Sequence, residues 1–544
     1  MAIASRWLAA RYNRPGFAVF DFDVYALAGD GDMMEGVASE AASVAGHLGL
    51  SNLCWVYDSN RITIEGATDL AFSEDAAARF RAYGWRVVSV GDANNLPLLR
   101  QAFGEFKATP DRPTLILVRS HIAYGSPHKQ DSAAAHGSPL GEEEVRLTKR
   151  AYGWPEEAKF LVPDGVREHF AAGLGARGSG LRDEWLARFD EYRRAHPALA
   201  RDLDLMQRGE LPVGWDAELP QFEADSVGIA TRSSAGRGLN AIAARVPWLI
   251  GGAADLAPST KTYLAFDGAG DLERASPGGR NIHFGVREHA MAAIVNGLAL
   301  CHLRPFGATF FVFSDYARPA LRLSAMMELP TVAVFTHDSI SLGEDGPTHQ
   351  PVEHLANLRA IPGMVTMRPA DANEAVEAWR TIMGFRRRPA ALILSRQKLP
   401  TLDRSSLGAA SGLAQGAYVL LDPEGEPRPD VILIASGSEV ALCLDAAAAL
   451  ARDGIGARVV SMPSWELFED QDQAYRDQVL PPEVWARVAV EEGSPMGWER
   501  YIGPRGAILG MTTFGASAPM ADLAAKFGFT VEHVVATTKG VLGR

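Results

Sequence analysis

Cysteine is scarce in this chain: Cys54, Cys301 and Cys443 are the only three in 544 residues. Their odd number and wide scatter argue against a disulfide-stapled secreted fold and point to reduced thiols in a cytoplasm. There is no long basic run, and 53 Lys+Arg against 66 Asp+Glu leave a formal charge of −13. Nucleic acid and anionic membrane surfaces are therefore set aside as partners. A small anionic substrate is still admitted, because a few placed arginines outweigh net charge inside a cleft. Long apolar runs are missing as well. The stretch near Met291–Cys301 is broken by Asn296 and Gly297 and cannot span a bilayer. No short-period repeat or low-complexity tract is present. What is there is length for several domains and 47% hydrophobic residues, ample for buried cores.

The first residues, Met1–Arg11, carry arginines and no acid, as organellar transit peptides do. The apolar residues at positions 3, 7, 8 and 10 favour a helix belonging to a folded domain. Downstream, Val24–Ala28, Leu53–Tyr57, Arg86–Val90 and Thr114–Val118 read as buried strands, and Val37–Leu48 as a helix. Strand–helix alternation implies a parallel doubly wound sheet. A charged helical stretch covers 142–208, and the Pro/Gly-bearing segment 209–225 reads as a linker. A second α/β region follows at 226–400, with strands at Trp248–Gly251, Thr331–Thr336 and Ala390–Leu394 and a helix at Glu288–Leu300. After a break near 402–416, a smaller α/β region at 417–544 has strands at Val431–Ala435, Ala457–Ser461 and Ala486–Val490. The expected fold is thus α/β, with two successive doubly wound parallel sheets and a smaller third domain.

Asp30 follows an apolar strand and lies between Gly29 and Gly31, just before a helix. That puts its carboxylate at the carboxyl end of a parallel strand, where such sheets bind ligands. The glycines admit a phosphate close to the backbone, and the helix N-terminus points N–H groups at it. Asn60 follows the next strand and reaches the same crevice. Magnesium prefers six oxygens. Asp30, the Asn60 amide, the Ile62 carbonyl, two diphosphate oxygens and one water complete such a set. A lone Gly-Asp-Gly is usually only a turn; Asn60 at the right remove, followed by Arg61-Ile62-Thr63-Ile64-Glu65-Gly66, reverses those odds. Farther on, His337-Asp338-Ser339-Ile340 and Gly343-Glu344-Asp345-Gly346-Pro347-Thr348-His349 place two histidines and Asp345 among glycines, a pattern hard to explain as core packing.

Together these segments resemble the transketolases, thiamine-diphosphate enzymes that move two-carbon ketol units between sugar phosphates. Asp32-Met33-Met34-Glu35-Gly36 and Phe284-Gly285-Val286-Arg287-Glu288-His289-Ala290-Met291 are similar to family segments, and the resemblance runs from residue 1 to 544. It implies a diphosphate-binding domain at 1–208, a pyrimidine-binding domain at 226–400 and a C-terminal transketolase domain at 417–544. It assigns Mg²⁺ (with Ca²⁺ or Mn²⁺ as substitutes) to Asp30, Asn60 and Ile62, and the diphosphate to Gly31. Glu288 would activate the pyrimidine ring, for which a carboxyl with a pKa raised by burial is suited. Phe310, Phe313 and Tyr316 in Thr309–Tyr316 would form a stacking wall for that ring.

By the same resemblance His337 and His349 line the channel at the reactive carbon, supplying proton transfer near neutral pH. Asp345 would recognise a donor hydroxyl, and His136 in Ala135–Leu140 would face both diphosphate and substrate. Arg232, Ser259 and Arg396 match the sugar-phosphate clamp, guanidinium forks being suited to phosphate. Asp255 would support the cofactor region. The resemblance further implies a homodimer with the active site at the subunit interface. Two alternatives stand beside it: a dihydroxyacetone synthase-like ketol transferase, and a non-catalytic or split partner of a longer homologue.

Three departures from the family pattern are visible. Ser341 stands where glycine is usual, and Gln130–Ala134 is altered before His136; both are expected to tune access. The third is the beginning, since Met1-Ala2-Ile3-Ala4 matches an internal helix of the family. A misassigned start, a separate chain supplying the preceding segment, or gene decay would account for it, and reduced activity of the isolated chain is the corresponding expectation.

Overall fold

The computed structural model describes residues 1–423, 425 and 428–544. They fall into two compact units: 1–204 with 273–278, and 205–272 with 279–544.

In the first unit, β1 (Val24–Gly29), β2 (Leu53–Ser59), β3 (Arg86–Val90) and β4 (Thr114–Arg119) form one sheet in the order β1-β2-β4-β3. Every pairing is parallel, as the strand–helix alternation required. Cys54, Val90, Ile116 and Val118 from three of the strands bury against Ala102 and Phe106 of the helix Leu96–Lys107. β1 is an edge strand on which Tyr25 and Leu27 are exposed. The helix Ala2–Tyr12 buries Ile3, Trp7 and Leu8, so this segment is packed structure, although Ala10 faces outward.

The charged stretch is helical, ending in the helix Pro197–Arg208. The boundary between the units falls within that helix, not at the glycine after it. Met206 is buried and lines a cavity with Trp248 and Leu303, so the helix's last turn is held by the second unit.

In the second unit, β5 (Asp225–Ile229) precedes a six-stranded sheet. Its strands are β6 (Leu249–Ala253), β7 (Asn281–His283), β8 (Arg304–Phe310), β9 (Val332–Thr336), β10 (Val365–Met367) and β11 (Ala390–Leu394). The order is β10-β11-β9-β8-β6-β7, again all parallel. β12 (Leu399–Thr401) returns to pair antiparallel with β5. A five-stranded sheet follows, built of β13 (Tyr418–Leu421), β14 (Val431–Ala435), β15 (Ala457–Ser461), β16 (Arg487–Val490) and β17 (Ala507–Leu509). It runs β13-β15-β14-β16-β17, with only β13 antiparallel. Central β14 is apolar throughout because both its faces are covered. Val431, Leu433 and Ala435 enter one core, and Ile432 and Ile434 the other.

The two sheets expected as separate domains share one compact unit. Buried ion pairs join them: Arg359 after β9 meets Glu491 after β16 at 2.8 Å, and Arg368 after β10 meets Glu439 after β14. Among the described residues no helix is long and apolar enough to cross a membrane.

Candidate active site

Parallel sheets gather the residues that follow their strands into one crevice at the carboxyl edge. In the second unit this collects most of the residues singled out above. Asp255 lies two residues beyond β6, Glu288 five beyond β7, and His337 directly after β9; Phe310 ends β8, and Arg396 lies two beyond β11. His337 is held at φ 68°, a backbone region that disfavours a residue with a side chain. It is 2% exposed. Its ring centroid lies 3.8 Å from that of Phe310, and its Nδ1 lies 2.8 Å from the Thr336 hydroxyl.

Phe310 and Phe313 stack at 6.2 Å with 14° between their planes, and His349 closes on Phe313 at 5.7 Å. Tyr316 flanks Phe313 at 6.0 Å with its outer side in solvent. Phe310 belongs to β8 and Phe313 to a short 3-10 turn. The wall is built across an element boundary.

Burial pushes the His337 pKa down to about 3, with further lowering from Arg232, Arg396 and His349. His337 is therefore a neutral imidazole at physiological pH. The two guanidiniums that depress it mark a positive pocket. Burial, then Arg396, also lowers the Arg232 pKa. Arg232 donates to the Ser259 hydroxyl and carbonyl at 3.0 Å each, so the three clamp residues are neighbours. Glu288 opens the helix Glu288–Ala299 and is 6% exposed. Asp255 and Asp345 are exposed, Asp255 at φ 66°.

The first unit holds the other set. Asp30 and Asn60 follow the adjacent strands β1 and β2, whose last residues run in register, Gly29 beside Asp58. Asp30 is 4% exposed; its two carboxylate oxygens accept from the Tyr57 hydroxyl at 2.6 Å and the Arg61 N–H at 2.8 Å. The Asn60 amide oxygen accepts from the Ile62 N–H at 2.9 Å. Each of these oxygens keeps a lone pair, and all are hard donors of the kind Mg²⁺ takes. A Cβ added at Gly31 would meet nothing within 4 Å, so the backbone there faces open space. The residues fit a metal–diphosphate group.

His136 is half-buried at the end of a loop pinned by Glu144. The Glu144 carboxyl accepts from the Ser126 hydroxyl and the His128 N–H and meets the His128 ring at 2.9 Å. These bonds hold its pKa down to about 2. Within the altered segment, Asp131 at φ 56° meets the His121 ring at 2.9 Å, and Gln130 accepts from Gly125 N–H. The alteration is thus an internal brace of the loop.

Sequence reasoning passed over the residues that brace the His337–His349 segment. Gln350 is buried and donates to the Gly343 and Ala516 carbonyls at 2.9 Å each. Ser341 is buried as well. Its hydroxyl donates to Glu492 at 2.9 Å, so it does not line an access path. Asp338 pairs with the fully buried Arg368 at 2.8 Å. The C-terminal sheet therefore supplies the scaffold of this loop. Ser341, standing where the family usually has glycine, was the one signal for it.

Family models match three stretches: "Transketolase, thiamine diphosphate binding domain" at 1–212, "Transketolase, pyrimidine binding domain" at 227–401, and "Transketolase-like TK C-terminal domain" at 416–530. A transketolase of Geobacillus stearothermophilus is 51% identical over 545 residues, covering 100% of this chain and 81% of that protein. One of Bacillus subtilis is 48% identical over the same span of the chain. Among solved structures, a transketolase from Leishmania mexicana superposes with a TM-score of 0.95 at 42% identity, covering 100% of this chain and 79% of that one. A Pichia stipitis transketolase in complex with sedoheptulose 7-phosphate gives 0.94 at 38%, with the same two coverages. These matches favour neither alternative reading and lend no support to doubt about the chain's activity.

Proposed function

The chain belongs to the transketolase family and is a ketol-transferring enzyme that binds thiamine diphosphate; on that premise we propose how its residues divide the work. Thiamine diphosphate, when bound, supplies the nucleophilic carbon and electron sink for moving a two-carbon ketol unit from a ketose phosphate to an aldose phosphate. Asp30, Asn60 and the Ile62 carbonyl hold Mg²⁺, and Gly31 lets the backbone approach the diphosphate. Phe310, Phe313 and Tyr316 would offer a stacking wall to the pyrimidine, and Glu288, buried at the start of its helix, would hold a proton at a ring nitrogen.

His337, kept neutral by burial, donates or accepts a hydrogen bond at the substrate oxygen without carrying charge; His349 and His136 move protons at the reacting carbonyl and hydroxyl. Asp345 orients the donor through a hydroxyl. Arg232, Ser259 and Arg396 take the terminal phosphate. The observation that carries this reading is the group at the sheet's carboxyl edge: buried neutral His337 under Phe310, with two guanidiniums close enough to depress it.

The site is completed in a homodimer, the diphosphate-holding region (1–208) of one copy facing the pyrimidine-binding region (226–400) of a second, with 209–225 as linker and 417–544 as a C-terminal domain; the family models' spans support this division. The cytoplasm, where sugar phosphates and reduced thiols are kept, suits this chemistry.

The test is transfer from a ketose phosphate to an aldose phosphate by the purified protein. Turnover should require both thiamine diphosphate and a divalent cation, vanish with a chelator and return with Mg²⁺; sizing by light scattering should report a dimer. Turnover that ignores the chelator would refute the metal assignment.

A further inference from the structure

Glu492, two residues beyond β16, is 5% exposed and faces the loop between His337 and His349. Its carboxylate accepts from the Ser341 hydroxyl at 2.9 Å and from the Ser341 N–H at 3.3 Å. Ser341 is the middle residue of the short turn Ile340–Leu342. The Glu492 N–H donates to Glu439 at 3.1 Å. Glu439 pairs with Arg368, and Arg368 with Asp338, the residue after His337. The bonds close a ring: Asp338, Arg368, Glu439, Glu492, Ser341 and back along the chain to Asp338. In chain order His337 comes just before the ring's Asp338–Ser341 segment, and the loop carrying Asp345 and His349 comes just after it.

We propose that Glu492, acting through Ser341, is a positioning residue that sets the turn joining His337 to the Asp345–His349 loop and thereby the binding of the ketose-phosphate donor. This rests on the reading of that loop as the donor-binding wall.

The charges around Glu492 come from its own segment and four other elements. Asp338 follows β9, Arg368 follows β10, Glu439 opens the helix Glu439–Arg452, and Glu491 precedes Glu492 and is paired with Arg359 from the helix His354–Arg359. Arg368 serves Asp338 and Glu439, and Arg359 serves Glu491. Among the described residues no ion pair includes Glu492, so four acids share two guanidiniums. Burial first, then Glu439, pushes the Glu492 pKa up to about 7, against the Ser339 and Ser341 hydrogen bonds and Arg368. Below that pH the acid is neutral, and its carbonyl oxygen still accepts from Ser341. Above it the carboxylate is ionised and accepts more strongly from the Ser341 hydroxyl and N–H, which is why those bonds oppose the upward shift. The turn is therefore held more firmly, and donor affinity should rise, as pH rises through about 7.

The experiment measures kcat and donor KM from pH 6 to 8.5 for the holoenzyme and for Glu492→Gln, Glu492→Ala, Ser341→Ala and the double alanine variant. At pH 6.5, Glu492→Ala should raise donor KM about tenfold with kcat changed less than about twofold, as expected for lost loop placement. The double variant should match Glu492→Ala, because contacting residues are not additive. Glu492→Gln, which keeps an acceptor oxygen and cannot ionise, should hold KM near the parent's low-pH value and lack the parent's fall in KM above pH 7. A parent-like KM and pH profile in Glu492→Ala, or multiplicative effects in the double variant, would overturn the proposal. If Glu492→Ala does not fold, the Glu492→Gln profile decides: a KM fall through pH 7 identical to the parent's refutes it. Glu288→Ala separates the two levels. Full activity there sinks the catalytic reading, whereas an inactive Glu288→Ala beside unaffected Glu492 and Ser341 variants sinks this inference alone.

Discussion

Replacing Arg368 by methionine removes the cation at the centre of the second unit. Arg368 is 1% exposed, and the Asp338 and Glu439 side chains that it joins are each 2% exposed. The methionine fills most of the volume, so cavity formation adds little. Electrostatics decides: two carboxylates stay buried without a counter-charge, and the Asp338 Oδ1 already has no hydrogen-bond partner. Breaking a buried pair from one side costs about 3–5 kcal/mol. Protonation relieves part of that cost, and desolvated carboxyls protonate more readily. The variant should thus be destabilised far more at pH 8 than at pH 5.5. Urea unfolding followed by tryptophan fluorescence at both values is the assay, since Trp379, Trp465 and Trp498 are buried in this unit. A loss under about 1 kcal/mol at pH 8, or equal losses at both values, would refute the reasoning.

Three further outcomes are expected. His337 is held neutral in the fold while the unfolded chain binds a proton near pH 6.5, so folding stability falls as pH drops from about 6.5 towards 3; His337→Gln should lack that share of acid sensitivity in denaturation at pH 6.5 and 4.5. Asp30→Ala should weaken Mg²⁺-dependent binding of thiamine diphosphate by about 10–100-fold or more, read by fluorescence titration, and unchanged affinity would remove Asp30 from the metal site. Arg232→Met and Arg396→Met should each raise KM for a phosphorylated ketose about 10–100-fold and leave a non-phosphorylated ketose almost unaffected, because charged hydrogen bonds of about 1.5–3 kcal/mol are lost only with the phosphate.

Strands were the most legible feature of the sequence, because parallel strands covered on both faces read as short apolar runs. Ala390–Leu394 and Val431–Ala435, buried at every residue, coincide with the observed strands. Residues just after such strands, Asp30, Asn60 and His337 among them, were legible for the same reason. The join between the second and third sheets was not legible: it depends on Arg359, Arg368, Glu439 and Glu491, charged residues far apart in the chain that look like ordinary surface until the fold pairs them. The aromatic pair Phe310 and Phe313 straddles a strand and a turn. Ser341 showed as a departure, but its meaning depended on Glu492, more than a hundred residues later.

The central claim is that Glu288, buried at the start of its helix, drives cofactor-dependent ketol transfer. The direct measurement is steady-state transfer by Glu288→Ala with saturating thiamine diphosphate and Mg²⁺, beside the parent and with thermal unfolding of both. The account predicts turnover lowered by at least about 100-fold with the melting temperature little changed. Parent-like turnover from a folded Glu288→Ala protein would contradict it.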